Sequence, residues 1–301
     1  MLTRREAVRR LGLAAAGAMA AGGLACSADA DETGAGAAAE STGSTARGTE
    51  GGAGGLGVLG IQLYTLRGEM QRHVAETLTG VAEIGYREVE FAGYFGHSPS
   101  EIREMLDATG LSAPAAHFGI DATLDGLPTS IEMAATVGHE NLVVAWIPQE
   151  MRETLDDWRR TADLFNRAGE ACKAAGIQFA YHNHDFEFER IGGQVPFEVL
   201  CEEADPELVK IELDLFWIIH GGGDPLAFFE RWPGRVPLVP VKDRTVDGDM
   251  VDVGAGVIDW AAIFARREQA GILHYFVEHD EPGDAFASAR ASYRYLSELE
   301  V

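Results

Sequence analysis

Apolar residues past about Leu56 fall into two alternating patterns. Short apolar runs that suit buried strands are separated by longer stretches with helical periodicity. The strand runs are Val58–Leu66, Tyr86–Ala92, Ser112–Phe118, Asn141–Ile147, Gln178–His184, Val209–Trp217, Val236–Asp243 and His274–Asp280. The helical stretches are Met70–Ile84, Pro99–Thr109, Pro128–Val137, Glu150–Ala175, Pro196–Ala204, Pro225–Trp232, Asp259–Ala270 and Ala285–Glu298. Pro99, Pro128, Pro196 and Pro225 open helices, where a missing N–H costs nothing. Gly85, Gly110, Gly138, Gly176 and Gly271 follow helices, where a left-handed residue ends the last turn.

Eight mostly apolar strands, each followed by a helix, predict a parallel sheet buried on both faces. Eight such units close as a (β/α)8 TIM barrel, a single domain over residues 56–301. A doubly wound open sheet would carry a glycine-rich phosphate loop after its first strand. Here the first strand runs into Gln62-Leu63-Tyr64-Thr65-Leu66-Arg67, with no such loop.

The N-terminus reads differently. Arg4, Arg5, Arg9 and Arg10 precede a short run of Leu, Ala and Gly from Leu11 to Ala25. A basic start and a short apolar middle predict an export signal over residues 1–26, and Thr3-Arg4-Arg5 resembles a twin-arginine signal. Leu24-Ala25-Cys26-Ser27 resembles a lipoprotein box, with Cys26 as lipid acceptor and Gly23 where Leu is usual. Ala28-Asp29-Ala30 is the competing site for ordinary cleavage. Residues 27–55 lack aromatic and large aliphatic residues, which predicts a flexible linker. The expected location is the periplasm or cell envelope.

The chain carries a formal charge of -24, about -27 once residues 1–26 are removed. That acidity repels phosphates, and no basic patch lies beyond residue 10, so nucleic acid is excluded as an expected partner. Cys172 and Cys201 lie in separate helical stretches and are expected to be buried thiols rather than a bridge.

Barrel enzymes place their chemistry at the C-terminal ends of the strands. The strand ends here hold Glu88 and Glu90, His117, Trp146, His182 and His184, Glu212 and Asp214, Lys242 and Asp243, and Glu278 and Asp280. Residues two apart share a face, so His182 pairs with His184, Glu212 with Asp214, and Glu278 with Asp280. Buried charges at so many strand ends need partners or a metal. Imidazole with carboxylate suits a divalent metal (Mn, Co, Zn, Fe or Mg) that polarises a sugar carbonyl. Glu278, His182, His184 and Lys242 are the candidate catalytic groups. Glu90, His117, Trp146, Trp217, Asp243 and Asp280 are candidates for binding substrate, with the tryptophans as a stacking face.

The chain resembles the sugar phosphate isomerase/epimerase family of xylose isomerase-like TIM barrels. The resemblance rests on Gly60-Ile61-Gln62-Leu63-Tyr64-Thr65-Leu66-Arg67, Glu88-Val89-Glu90-Phe91-Ala92-Gly93, Ala116-His117, Tyr181-His182-Asn183-His184-Asp185-Phe186-Glu187-Phe188, Glu212-Leu213-Asp214, Val241-Lys242-Asp243, Val253-Gly254-Ala255-Gly256-Val257-Ile258-Asp259 and Val277-Glu278-His279-Asp280. It implies one divalent metal held by Glu, Asp, His and Glu from strands five to eight. Asp214 and Glu278 match two of these, His182 stands at the first glutamate, and Pro240 stands at the histidine. The implied metal set is therefore His182, Asp214 and Glu278, with Pro240 a departure that puts the metal in question. The implied activity is isomerisation or epimerisation of a sugar by proton removal next to a carbonyl; the expected export and the acidic charge favour an unphosphorylated substrate. Loss of the two-glutamate arrangement keeps a keto-sugar lyase or dehydratase as the alternative. A non-catalytic carbohydrate-binding barrel is the alternative of a different class.

Overall fold

The computed structural model describes residues 55–301. The expected export segment, Cys26 and all but the last residue of the linker lie outside the described residues. No helix among the described residues is long and apolar enough to cross a membrane.

Eight parallel strands close into a barrel. They are Gly60–Gln62, Glu88–Phe91, Ser112–Phe118, Asn141–Val144, Gln178–His182, Val209–Glu212, Leu238–Val241 and His274–Val277. The first strand pairs with both the second and the last, with Gly60 level with Glu88 and Phe276. The expected barrel is what the chain forms.

Two layers of core follow from the period of two along each strand. One face of each strand packs against helices, as with Val89, Leu142, Phe179, Ile211 and Val239. The other face fills the barrel with Ala115, Val143, Ala180, Leu238 and Phe276. Two residues beyond Ala115, Ala180 and Phe276 on the same face come His117, His182 and Glu278. The site therefore rests directly on the apolar filling of the barrel. Close packing sets the small residue at Gly60, where a Cβ would come within 2.6 Å of the Phe276 ring.

Several elements end earlier than the apolar pattern predicts. The sixth strand stops at Glu212, and Leu215–His220 is a helix rather than more strand. Asp214 is the reason: its Oδ1 accepts the Trp217 N–H at 2.8 Å and caps that helix. Trp217 is thus on the first turn of a helix, not on a strand. The expected Glu150–Ala175 helix starts at Leu155, behind a capping box of Thr154 and Asp157. The expected Met70–Ile84 helix is two pieces, Arg67–Met70 and Val74–Ile84. The Asp259–Ala270 stretch likewise splits into Trp260–Phe264 and Arg267–Ala270.

A feature absent from the sequence reading follows the seventh strand. Asp243–Arg244 pairs antiparallel with Met250–Val251 as a small ribbon. Cys172 and Cys201 are free and buried, and burial pushes their thiols up to about 11 and about 12. They act as small apolar side chains.

Candidate functional site

Charged and imidazole side chains form a continuous network across the C-terminal ends of the strands. It begins on the first two strands, where Gln62 Nε2 donates to Glu90 Oε2 at 2.9 Å. His117 Nε2 on the third strand lies 3.5 Å from the same oxygen and 2.7 Å from Glu212 Oε2. His182 Nδ1 reaches Glu212 Oε2 at 2.8 Å, so two imidazoles clasp one carboxylate. His182 Nε2 faces Asp214 Oδ2 at 3.6 Å. Lys242 Nζ lies 2.9 Å from Asp214 Oδ2 and 3.1 Å from Glu278 Oε2, and donates to Asp280 Oδ1 at 3.0 Å.

The groups are deeply buried. Glu90, Glu212 and Asp214 are fully inaccessible, and Lys242 and His182 are each 2% exposed. Ions so placed hold their charge only against one another. Burial opposes ionisation of Glu212, yet His117 and His182 hold its carboxyl well below the usual range. Burial and the neighbouring Glu212 push Glu90 well above that range, so Glu90 keeps its proton. Burial would depress His182, but Glu212 and Asp214 outweigh it and raise the imidazole. Burial raises Glu278 to about 8, with Lys242 pulling the other way. Burial opposes the Lys242 charge, but Asp214, Asp280 and Glu278 drive its pKa well above the ordinary value.

His184 belongs to a different environment. Trp146 meets it edge-on at 5.0 Å, Phe186 stacks at 5.7 Å, and Trp217 lies at 5.7 Å. Burial, then the neighbouring His182 and Lys242, hold it well below its ordinary value, so it is neutral. Its Nδ1 and the Trp217 Nε1 are buried without a hydrogen-bond partner. Trp146 is 39% exposed and forms the outer lip of this aromatic wall.

The expected site residues divide accordingly. Glu90, His117, His182, Asp214, Lys242, Glu278 and Asp280 form the charged network, and His184, Trp146 and Trp217 the aromatic wall. Asp243, expected to face substrate, does not. Its carboxylate accepts N–H groups of Arg244 at 2.8 Å, Gly254 at 2.9 Å and the Trp260 indole at 3.0 Å. It braces the loop that follows the seventh strand, and a Cβ at Gly256 would come within 2.1 Å of its Oδ1. Glu88 starts its strand rather than ending it. It therefore lies at the opposite end of the barrel, paired with His274 at 2.8 Å.

Sequence reasoning assigned no role to Gln62, Glu212 alone or Glu187. Gln62 and Glu212 were within reach of the period-two rule, since Glu212 lies two before Asp214. Glu187 gave no such signal. Its carboxylate takes the Tyr181 hydroxyl at 2.5 Å and the His184 N–H at 2.9 Å, and so fixes the turn carrying His184. Burial lifts it to about 7.

Two groups of side chains bring possible metal ligands together. The expected set of His182, Asp214 and Glu278 does not fit a divalent metal. Lys242 Nζ fills the space between Asp214 and Glu278, and buried Pro240 supplies no ligand. The second group is His117, His182 and Glu212, whose ligand atoms lie within 4.8 Å of one another. Two imidazoles and a carboxylate suit Zn, Fe or Mn, and Glu212 Oε1 and Glu90 Oε1 are buried there without partners.

A family model described as xylose isomerase-like TIM barrel matches residues 78–299. The chain belongs to this family. An inosose dehydratase of Geobacillus kaustophilus (strain HTA426) is 23% identical over 268 residues, 74% of this chain and 86% of that protein. An inosose dehydratase of Lacticaseibacillus casei is 26% identical over 246 residues, 68% of this chain and 80% of that protein. Among solved structures, a sugar phosphate isomerase/epimerase from Parabacteroides distasonis ATCC 8503 superposes with a TM-score of 0.70 at 28% identity. That match covers 84% of this chain and 96% of the other.

Proposed function

We propose that this xylose isomerase-like barrel is an enzyme that removes a proton next to the carbonyl of an unphosphorylated keto-sugar or keto-inositol and then expels a β-hydroxyl as water. One observation carries the reading. A carboxyl, Glu278, and an imidazole, His182, stand at the two ends of a linked set of charges, with steps of 3.6, 2.9 and 3.1 Å through Asp214 and Lys242. Two glutamates on opposite faces of a substrate would serve symmetric epimerisation. An unlike pair serves elimination, which needs a base at one carbon and an acid at the next oxygen.

In this reading the C–H proton passes to the ionised form of Glu278. A carboxyl whose pKa lies at about 8 is matched to that work near neutral pH. The electron pair moves onto the carbonyl oxygen, then back to form the C=C bond as the C–O bond breaks. The leaving hydroxyl takes the His182 proton and departs as water. Glu212 holds His182 in its protonated form and fixes the ring. Trp146 and Trp217 flank the ring of the substrate. With a divalent ion held by His117, His182 and Glu212, His182 would be neutral, and the ion would replace its proton as the acid acting on a substrate oxygen. The dehydratase names of the two sequence relatives support this choice over the epimerase. The basic and apolar N-terminal segment supports export to the periplasm or cell envelope, with Cys26 as a lipid attachment point.

The test is a panel of keto-inositols and keto-glycosides in D2O, followed by NMR and by enone absorbance. The expected result is deuterium exchange at the carbon next to the carbonyl together with a conjugated enone. Deuterium incorporation with inversion and no loss of water would replace elimination with epimerisation. Tight binding of sugar that stays unchanged after long incubation would make the barrel a binding protein.

A further inference from the structure

The geometry points to the Lys242 ammonium as the resident cation between Asp214 and Glu278, in the place where a barrel of this family would hold a divalent metal. Three carboxylates surround one nitrogen, at 2.9 Å from Asp214, 3.1 Å from Glu278 and 3.0 Å from Asp280. Only the Asp280 contact is a hydrogen bond; Asp214 Oδ2 and Glu278 Oε2 meet the ammonium as ion-pair contacts and are otherwise buried without a hydrogen-bond partner. A divalent ion bound to Asp214 and Glu278 would sit about 2 Å from their oxygens, in the volume that Nζ fills. The lysine and the metal exclude one another there by volume and by charge.

The seventh strand itself agrees. Pro240 lies two residues before Lys242 on the same face of the seventh strand, level with Phe276. It is buried and offers no ligand atom. A metal site thus lacks one ligand at the position from which Lys242 reaches in. The swap also resolves a stability problem. Asp214 is fully buried and Glu278 is 4% exposed, so without a cation their charges would be costly to keep.

The location of this cation stands independently of the reaction; its role rests on the carbonyl chemistry proposed above. When the C–H bond breaks, its electron pair moves to the carbonyl oxygen and the proton goes to Glu278. The ammonium then lies beside the developing oxyanion, where a metal would otherwise stand. Asp280 is the most exposed of the three partners, at 27%, and its contact is the one a substrate oxygen replaces. The Lys242–Glu278 contact places the charge-stabilising group and the base on the same side of the substrate.

The experiment compares metal content and Mn2+ binding across purified variants of the full chain. In wild type, Asp214→Asn and Glu278→Gln are expected to leave the bound metal unchanged within about 10% of an equivalent. Lys242→Met is expected to gain one Mn2+ site by calorimetry, which a second change, Asp214→Asn, removes. Turnover of a responsive keto-sugar is expected to change less than about twofold on EDTA treatment if no metal is held at His117, His182 and Glu212. A metal that survives Asp214→Asn but is lost in Glu212→Gln lies at that other position and supports the inference. One equivalent of metal in wild type that Asp214→Asn or Glu278→Gln removes would overturn it. That comparison needs neither turnover nor a folded Lys242 variant, so an inactive panel of sugars would defeat the proposed reaction and leave this result readable.

Discussion

His182 Nδ1 and Glu212 Oε2 are 2.8 Å apart, inside a barrel where Glu212 has no contact with water. The pair fixes which ring nitrogen faces Asp214 and keeps the imidazole charged. Glu212→Gln removes that charge but preserves the shape. A fall in kcat of about 10²- to 10⁴-fold is expected, the range of a lost general acid, with KM changed far less. Steady-state kinetics on a responsive keto-sugar checks this. An unaltered kcat would remove His182 from proton transfer.

Asp243 should act on stability rather than chemistry. Asp243→Ala strips the partner from the N–H of Gly254 and the Trp260 indole, both otherwise satisfied at 2.9 and 3.0 Å. Unsatisfied buried donors cost about 1–3 kcal/mol each, so a loss of several degrees in Tm is expected. Asp243→Asn should lose less, since one carbonyl oxygen remains. Calorimetric melts would decide. An unchanged Tm in the alanine variant would mean the loop is held by other contacts.

Trp146 should act on binding alone. It is 39% exposed and touches His184 and Phe186 by ring edges. Trp146→Ala is expected to raise KM roughly three- to thirtyfold, the worth of about 0.5–2 kcal/mol of aromatic contact, with kcat and Tm nearly constant. A change in kcat without a change in KM would place this ring in the chemical step instead.

His139 gives a stability-versus-pH prediction away from the site. It is 4% exposed, bonds the Ala113 carbonyl through Nδ1 at 2.7 Å, and is held at about 4 by burial. An unfolded chain protonates its histidine near 6.5, so the unfolded state takes up a proton first. Its contribution is therefore fully present above pH 6.5 and is lost as pH falls towards 4, by about 3 kcal/mol in total. Urea melts of wild type and His139→Asn at pH 7 and pH 4.5 test the sign. Equal acid losses in both proteins would assign the effect to other groups.

Much of this architecture was legible because a barrel strand repeats every two residues. That period set His182 with His184, Glu212 with Asp214 and Glu278 with Asp280 at the strand ends, and so marked the rim. It failed where a side chain overrode the apolar run. Asp214 capped a helix and ended the sixth strand, moving Trp217 from strand to helix. It failed again where end and start of a strand were confused, sending Glu88 to the far side of the barrel. Asp243 was misread because no spacing reveals that an acid beside Lys242 turns back onto a loop eleven to seventeen residues later.

The sequence by itself determined the eight βα units, the apolar filling of the barrel, and the residue types at its rim, since periodicity and composition are local properties of the chain. Only the tertiary structure decided which charges meet. Lys242 is 28 residues from Asp214 and 36 from Glu278 along the chain, and the side-by-side pairing of the sixth, seventh and eighth strands brings its Nζ within 3.1 Å of both carboxylates. Pairing of strands far apart in the chain is a tertiary event, and the charge balance inside a low-dielectric space depends on it. The same lysine that reads as one strand-end residue among many thus becomes the cation that buried Asp214 and Glu278 share with the partly exposed Asp280.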